Sequence, residues 1–140
     1  MNPFTFDQLP MRVVFAPGAL GAVGDEARRL GAGRVMLIHD AATNDAADAI
    51  AVQLGEQLAV RWGEVAQHVP VELAGRARDA ATEHAIDAVV TIGGGSSTGL
   101  AKALALSHRI PIVAVPTTYA GSEQTTIYGL TGDQHKQTGK

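Results

Sequence analysis

The segment with the clearest capacity for chemistry in this 140-residue chain is a run of three glycines between an apolar stretch and a helical pattern. Glycine has no Cβ and tolerates positive φ, so such a run lets backbone N–H groups approach an anion closely. The following helix begins with unpaired N–H groups and about half a positive charge, and two serines add hydroxyls that can cap it or contact a phosphate oxygen. We therefore predict that a phosphate-bearing ligand binds here. The residues are Gly93, Gly94, Gly95, Ser96 and Ser97.

Two common nucleotide-binding motifs are absent from this segment. It has no G-x-G-x-x-G spacing, and Leu100 follows Gly94–Gly99 at the position where a Walker A loop needs lysine. A flexible turn without a ligand is the alternative interpretation of the three glycines. Gly99 falls inside the expected helix, where glycine costs about 1 kcal/mol relative to alanine. Either close approach by a ligand or tight helix packing would account for that glycine.

Polar residues follow two other apolar runs. Thr117, Thr118 and Ser122 come after Ile112–Val115 and supply small hydroxyls suited to ribose, amide or phosphate contacts, unless they form an ordinary turn. Asp40 comes directly after an earlier run. A carboxylate in that position can accept both ribose hydroxyls of an adenosine, which would favour NAD over NADP. The alternative is that Asp40 simply initiates a helix.

Alternating apolar runs and helical spacings predict the elements that position these residues. Five runs are interpreted as strands, namely Arg12–Ala16, Arg34–His39, Val60–Val65, Ala88–Ile92 and Ile110–Val115. Between them, apolar residues recur at spacings of three and four. This alternation is typical of βαβ units and predicts a Rossmann-like α/β fold, with a parallel sheet and helices on both faces. Ligands of such sheets bind beyond the carboxyl ends of the strands, where all three polar segments lie.

The ends of the pattern carry two further predictions. Val89–Ile92 and Ile112–Val115 are apolar on both faces, as central strands are, and Pro116 should then leave the sheet because a central strand needs every ladder donor. Thr125–Thr131 has β character, Gly132 and Asp133 form a hairpin-type turn, and residues 134–140 follow as the return strand. A C-terminal β-hairpin is therefore expected.

Composition excludes several classes of protein. The chain has 11 basic and 14 acidic residues, so its net charge of −3 rules out a strongly basic nucleic-acid binder. Apolar residues make up 46%, enough for one core, and no cysteine is present for a disulfide or an iron–sulfur cluster. No apolar stretch reaches the roughly 18 residues of a membrane helix, and residues 1–10 lack a secretory signal pattern. We expect one cytoplasmic domain over residues 1–140 that binds neither membrane nor nucleic acid.

These features together resemble the iron-containing alcohol dehydrogenase superfamily. That family has a G-G-G-S-x-x-D-x-A-K pattern and a P-T-T loop followed by G-S-E. The matching residues are Gly93, Gly94, Gly95, Ser96, Ala101, Lys102, Pro116, Thr117, Thr118, Gly121, Ser122 and Glu123. Gly99 stands where the family usually has aspartate. The chain looks most like the maleylacetate reductase branch, and this likeness extends over Arg12–Gly18, Gly93–Ala103, Tyr119–Thr125, Tyr128–Thr131 and Lys136–Gly139.

The resemblance implies a division into domains. Members of the family have a nucleotide-binding α/β domain and a second, all-helical domain, which carries one aspartate and three histidines as metal ligands in the metal-dependent members. This chain would hold only the first domain, isolated or truncated, so Fe2+ or Zn2+ would bind only through the absent second domain. The histidines show no metal-binding spacing and are interpreted as surface or packing residues. They are His39, His68, His84, His108 and His135.

The resemblance also implies an activity. Maleylacetate reductases use NADH or NADPH to reduce the carbon–carbon double bond of maleylacetate, which gives 3-oxoadipate in the breakdown of aromatic compounds. Hydride addition to this conjugated bond builds negative charge on oxygen, and the dianionic substrate needs cationic partners. Lys102 and Lys136 are candidates, although most substrate contacts are expected from the helical domain. The chain alone is therefore expected to be inactive, and the enzyme to be a homo-oligomer, most simply a dimer.

The resemblance assigns the predicted site residues to parts of the dinucleotide. The pyrophosphate would lie on Gly93–Ser96. Thr117, Thr118 and Ser122 would line the cleft toward the nicotinamide, and Asp40 would face the adenosine ribose, with NADH favoured and NADPH the alternative. No catalytic acid, base or metal ligand is assigned. Two other functions stay open, another iron-type alcohol or polyol dehydrogenase and a non-catalytic nucleotide-binding fragment.

Overall fold

A four-stranded parallel sheet forms the centre of the structure, which is a computed structural model describing residues 10–132 and 136–139. The strands are β1 (Val35–Ile38), β2 (Leu58–Trp62), β3 (Ala88–Gly93) and β4 (Ile112–Pro116). They lie in the order β2-β1-β3-β4, and every neighbouring pair is parallel. Parallel neighbours require crossover connections, and helices supply them here.

Helices cover both faces of this sheet. They are α1 (Val23–Arg29), α2 (Asn44–Leu54), α3 (Val71–Glu83) and α4 (Gly95–His108). Successive strand side chains alternate between two cores, so Met36 and Ile38 pack with α3 and α4, while Val35 and Leu37 pack with α1 and α2. The predicted Rossmann-like α/β fold is therefore confirmed. Within residues 10–132 and 136–139, no helix is long and apolar enough to cross a membrane.

A separate antiparallel hairpin follows the sheet, as predicted. It pairs β5 (Tyr128–Thr131) with β6 (Lys136–Gly139), and β5 begins three residues later than the β character of the sequence indicated. Gly132 lies in the connecting loop, whereas Asp133, its predicted partner in the turn, lies outside the described residues. Leu130 is buried in the core of α3 and α4, so the hairpin is attached to the α/β body.

Three predictions about the sheet are wrong. Arg12–Ala16 forms no strand, because no other strand lies beside it in the described residues to satisfy its backbone groups. Its Phe15 is 99% exposed. In addition, β4 lies at the edge of the sheet and is only half-buried. Pro116 stays in the sheet as the last residue of β4, opposite Gly93, because an edge strand can lose one ladder donor on its outer side.

The carboxyl end of β2 carries the single tryptophan of the chain. Trp62 is half-buried against the core of α3 and α4, in register with Ile38 of β1. Its indole Nε1 donates a hydrogen bond to the Glu64 carbonyl at 2.7 Å. The indole therefore has a fixed position at the edge of the sheet where the strands end.

Candidate nucleotide-binding site

The three polar segments found in the sequence meet at the carboxyl edge of neighbouring strands. Asp40 follows β1, the glycines follow β3, and Thr117 follows β4. The Thr117 N–H donates to the Gly93 carbonyl at 2.9 Å, and Asp40 Oδ2 lies 3.3 Å from the position that a Cβ on Gly93 would occupy. The structure therefore brings Asp40, the glycine loop and the threonine loop into one site.

Gly93 is the residue of the loop that cannot carry a side chain. Its φ is +147°, and a Cβ would lie 2.3 Å from Ser97 Oγ and 3.0 Å from Ser97 Cβ. Because Ser97 is itself buried, neither group could move away easily. Gly93 thus lets the chain leave β3 and turn directly into α4.

The N-terminus of α4 is uncapped. Gly94 is the N-cap residue and has no side chain to offer, and the first helical hydrogen bond runs from the Thr98 N–H to the Gly94 carbonyl at 3.2 Å. The N–H groups before Thr98 have no partner inside the helix, and the helix dipole places partial positive charge beside them. Neither Ser96 nor Ser97 caps the helix, although the sequence allowed it.

The Ser97 hydroxyl is an orphaned polar group at this helix terminus. Its residue is 1% exposed, and Oγ has no hydrogen-bond partner among the described residues. A buried hydroxyl without a partner costs free energy, and an anion at the uncapped helix end could accept its hydrogen bond. A Cβ-free loop, free backbone donors and this hydroxyl fit a pyrophosphate group.

The threonine loop packs directly on the glycine loop. Thr118 Cγ2 and Oγ1 lie 3.4 and 3.5 Å from the position of a Cβ on Gly94, and Ala120 Cβ lies 3.5 Å from that on Gly95. A branched side chain at Gly94 would therefore fill the space between the two loops. Thr117 and Thr118 are exposed, so their hydroxyls are available to a ligand above the strands.

Asp40 occupies a position compatible with both of its predicted roles. Its Oδ1 accepts hydrogen bonds from the Thr43 N–H and the Thr43 hydroxyl, each at 3.0 Å, and so caps the short 3-10 turn Ala41–Thr43. Its Oδ2 lies next to the Gly93 backbone. Helix initiation therefore uses one carboxylate oxygen and leaves the other at the edge of the glycine loop.

His39 positions Asp40 and is a residue that the sequence analysis did not assign to the site. The imidazole is buried, with Nδ1 3.1 Å from the Asp40 carbonyl and Nε2 2.9 Å from Arg61 Nε. Arg61 is held in turn by Asp48 and Asn44. One feature of the sequence could have indicated this role, namely an ionisable residue directly after a fully apolar strand. The network agrees with the prediction that His39 is a packing residue.

Lys102 has a structural role that the sequence did not indicate. Its Nζ donates to Ser122 Oγ at 3.1 Å, to Thr125 Oγ1 at 3.3 Å and to the Ile127 carbonyl at 2.8 Å. Burial away from water lowers the pKa of Lys102, and the nearby charge of Glu123 partly offsets this. All three ammonium donors are thus used within the chain, so Lys102 is a poor candidate for binding a substrate carboxylate.

Ser122 lies between this lysine and a cleft of about 290 Å³. Because the Ser122 oxygen accepts from Lys102, its own proton stays free to donate into the cleft. The cleft is lined by His68, Val69, Gly95, Ser96, Gly99, Ser122, Ile127, Tyr128 and Gly129. It therefore adjoins the uncapped end of α4 and extends from there to the hairpin.

Gly99 is explained by tight packing. A Cβ at this position would lie 2.9 Å from Val69 Cγ2, which belongs to the loop before α3. The packing alternative for this helix glycine is therefore the one that the geometry supports, although Gly99 also lines the cleft.

Metal-binding residues do not cluster in the described part of the chain. Residues 10–132 and 136–139 contain no group of three or more His, Asp or Glu side chains that could hold an ion. His135 and the side chain of Lys136, both named in the sequence analysis, lie outside what the structure describes.

Comparison with known proteins agrees with the geometry. Residues 10–140 match the protein family described as iron-containing alcohol dehydrogenase. The chain is 41% identical over 140 residues to maleylacetate reductase 1 of Cupriavidus pinatubonensis. This match covers 100% of this chain and 40% of that relative. It is 42% identical over 138 residues to the maleylacetate reductase of Rhizobium sp. strain MTP-10005, of which it covers 39%. The chain thus spans about two fifths of the length of these curated relatives.

Solved structures share the fold. The crystal structure of maleylacetate reductase from Rhizobium sp. strain MTP-10005 superposes with a TM-score of 0.93 at 41% identity, over 100% of this chain and 40% of that one. An NADH-dependent butanol dehydrogenase from Thermotoga maritima, at 22% identity, has a TM-score of 0.88 over 99% of this chain and 41% of its own, which is a likeness of fold alone.

Proposed function

The chain belongs to the iron-containing alcohol dehydrogenase family, and from that premise we propose that it is the nucleotide-binding part of a maleylacetate reductase. The reaction is the NAD(P)H-dependent reduction of maleylacetate to 3-oxoadipate, a step in the degradation of aromatic compounds. The observation that carries the proposal is the uncapped N-terminus of α4, with the orphaned Ser97 hydroxyl beside a loop that has no side chains. Relatives named maleylacetate reductase support the choice of reaction.

The proposed cofactor lies along the carboxyl edge of the sheet. Its pyrophosphate accepts hydrogen bonds from the backbone of Gly93–Ser96 and from the Ser97 hydroxyl. Asp40 Oδ2 accepts from the adenosine ribose, which favours NADH over NADPH because a 2′-phosphate would meet a carboxylate. Thr117, Thr118 and Ser122 line the path from the pyrophosphate to the nicotinamide.

The protein's contribution to the reaction is position and charge stabilisation. The reduced nicotinamide supplies the hydride when it is bound. The uncapped helix end and the glycine loop hold the dinucleotide so that its reactive ring reaches the cleft. There, the Ser122 hydroxyl donates a hydrogen bond, and Lys102 strengthens that donor by hydrogen bonding to the same oxygen. Developing negative charge on a substrate oxygen is stabilised by such a fixed donor.

We do not propose that the residues of this chain bind iron or zinc. We propose that any Fe2+ or Zn2+ bound by the enzyme is coordinated by the helical domain typical of the family. We propose also that the enzyme acts in the cytoplasm as a homodimer, which subcellular fractionation and sedimentation of the protein at several concentrations would test.

Titration with NADH tests the proposed cofactor site directly. Gly94 has a φ of −84°, which a valine can adopt, so Gly94→Val should keep the fold while its side chain blocks the space beside Thr118. We expect NADH fluorescence to change on binding to the parent chain and no binding to Gly94→Val. Gly75→Val is the matched control, because a Cβ at Gly75 meets nothing within 4 Å. Equal NADH affinity in the parent and Gly94→Val would remove the pyrophosphate from this loop.

A further inference from the structure

We propose that His68 is a specificity-determining residue that binds a carboxylate of the acidic substrate in the cleft. The inference rests on the proposed function, since it concerns the substrate that the cofactor site serves. His68 lines the cleft together with Ser96 and Ser122, and it belongs to the loop before α3. The sequence analysis interpreted it as a surface or packing residue.

The backbone at His68 is strained. His68 has a φ of 61° and Val69 a φ of 43°, so two consecutive residues with side chains are left-handed. This conformation is a clear outlier for a β-branched residue such as valine. Strained backbone persists only where the surroundings over-determine it, and it is concentrated at ligand-binding sites.

Three contacts fix the strained pair. The Val69 side chain fills the space left by the absent Cβ of Gly99, 2.9 Å from where that Cβ would be. The Val69 carbonyl accepts from the Thr131 N–H at 3.1 Å, and the Val69 N–H donates to the Ala66 carbonyl at 3.3 Å. Because Val69 is buried and held by these contacts, the position of the preceding residue, His68, is also fixed. His68 borders the cleft.

The charges around the cleft suit an anionic ligand. No acidic side chain is among its lining residues, and His68 is the one lining side chain that becomes a cation when protonated. The neighbouring ammonium of Lys102 is already bound by three oxygens of the chain. His68 forms no hydrogen bond with any described residue, so its ring nitrogens are open to a ligand. A carboxylate in the cleft would thus meet the imidazole on one side and the Ser122 hydroxyl on the other.

Gly99 contributes to the same selectivity. An aspartate at this position would add negative charge to the lining and displace Val69, whose Cγ2 lies 2.9 Å from the position of a Cβ on Gly99. Glycine avoids both effects. The pair Val69–Gly99 therefore keeps the floor of the cleft uncharged and holds the loop that carries His68.

Kinetics of a chimera test the proposal. This chain replaces the equivalent segment of the maleylacetate reductase from Rhizobium sp. strain MTP-10005, with which it shares fold and 41% identity. We compare His68→Asn, which tolerates the left-handed backbone and keeps an N–H donor, with His68→Asp, which reverses the charge. His84→Asn, an exposed histidine at the opposite end of α3, is the matched control.

We expect the His68 variants to change the KM for maleylacetate and to leave the KM for NADH unchanged. KM for maleylacetate should rise in the order parent, His68→Asn, His68→Asp, by roughly tenfold or more for the aspartate variant, because a charge-assisted hydrogen bond is lost and replaced by repulsion. Values of kcat and of KM for NADH should stay at those of the parent. An unchanged KM for maleylacetate in both variants overturns the proposal. A rise in KM for NADH alone also overturns it, because the anion at His68 would then be the cofactor phosphate.

A second measurement decides the question if the chimera has no turnover. The His68 ring signals of this chain are followed by NMR in the presence of NADH, while maleate or its neutral diamide is added to roughly 50 mM, since part of a site binds weakly. The ring signals should shift with maleate, not with the diamide, and His84 should not respond. No shift of the His68 ring with maleate overturns the inference. Loss of NADH binding by the parent chain would instead count against the proposed function.

Discussion

At the scale of single residues, the proposed site contains side chains that contact the chain through one atom and leave another atom open. Asp40 caps a turn with Oδ1 and leaves Oδ2 beside Gly93. Ser122 accepts from Lys102 with its oxygen and keeps its proton for the cleft. Each such residue is held by contacts within the chain before a ligand arrives, which reduces the entropy that binding must overcome.

The cofactor preference can be separated from the cap at Asp40. Asp40→Ala removes both the cap and the carboxylate, whereas Thr43→Ala removes only the hydroxyl contact of the capping box and keeps the bond from the Thr43 N–H to Oδ1. Asp40→Ala should lose about 1 kcal/mol of stability through loss of the N-cap contact, and Thr43→Ala should lose stability through its missing hydroxyl contact. Only Asp40→Ala should also raise the affinity for NADPH relative to NADH, by roughly tenfold or 1.4 kcal/mol. The ratio of the two dissociation constants is the measurement, and an unaltered ratio in Asp40→Ala would exclude the carboxylate from the ribose site.

Single residues also show the limit of reading roles from the sequence. The glycine loop, the threonine loop and Asp40 could be found because special backbone freedom or a strand-end position marks them. The positioning role of His39 and the role proposed for His68 could not, because they depend on burial and on neighbours distant in the chain. The hydrogen bonds of Lys102 could not be predicted for the same reason, since its three partners lie 20 to 25 residues away in the chain.

At the scale of elements, the helices pack through small residues. α1 lies against α2 at Gly24, whose N–H donates to Gln53 Oε1 at 3.1 Å. A Cβ on Gly24 would lie 2.9 Å from both Gln53 Cβ and the Gln53 carbonyl oxygen. One of these is backbone, so α1 would have to move away from α2 to accept even a methyl group.

Two alanine substitutions in helices should therefore have opposite effects. Gly75→Ala in α3 adds a Cβ that meets nothing within 4 Å, and should stabilise the chain by about 0.5–1 kcal/mol through helix propensity. Gly24→Ala gains the same propensity but overpacks the α1–α2 contact, which costs about 1–3 kcal/mol. Urea unfolding measures both. Equal stabilisation in the two variants would mean that α1 and α2 are not in tight contact.

A pH-dependent ion pair holds the irregular N-terminal segment to α1. Arg12 donates through Nε and one terminal nitrogen to the Glu26 carboxylate at 3.0 to 3.2 Å, and this hydrogen bonding lowers the pKa of Glu26. The stabilisation is therefore present above the ordinary glutamate pKa and is lost as pH falls through the lowered value of the folded state. NMR titration of the Glu26 carboxyl should give a midpoint below that of a free glutamate.

Trypsin provides a check on the same contact at neutral pH. Glu26→Gln should speed cleavage after Arg12, because the amide no longer offers a charged partner. Glu83→Gln is the control, since Glu83 is exposed and forms no ion pair with the described residues. Similar cleavage rates in both variants and the parent would show that the ion pair does not restrain the segment.

Helices and strands could be predicted from the sequence where their formation depends on residues close in the chain. Helices α1 to α4 follow from apolar spacing, and β1 and β3 from continuous apolar runs. Arg12–Ala16 has the same strand-like composition, yet it finds no partner strand in the described residues. Likewise β4 is as apolar as a central strand, yet it lies half-buried at the edge, because composition does not report the number of hydrogen-bonded neighbours.

At the scale of the whole molecule, the cleft is open to solvent. His68, Ile127 and the threonine loop are exposed, so nothing in the described residues covers a ligand bound there. Water then competes for each hydrogen bond, and electrostatic stabilisation of a substrate oxygen is weak. We therefore expect the chain to bind a dinucleotide along its glycine loop without providing an environment for hydride transfer.

Binding and turnover should therefore be separable in this chain. We expect the 140-residue chain to bind NADH and to leave its absorbance at 340 nm unchanged when maleylacetate is added. Fusion to the remainder of the Rhizobium enzyme should restore oxidation of NADH. Turnover by the 140-residue chain without the remainder of the enzyme would contradict the proposal that this chain binds the cofactor and that the remainder is needed for the reaction.

The fixed indole at the end of β2 gives this molecule an internal optical reporter. Trp62 is the sole tryptophan and lies at the edge of the sheet where the dinucleotide is proposed to bind. Its emission overlaps the absorption of a reduced nicotinamide, so docking should appear as resonance energy transfer from one donor at one position. Occupancy of the site can then be counted without a label, in this chain and in each variant that retains Trp62.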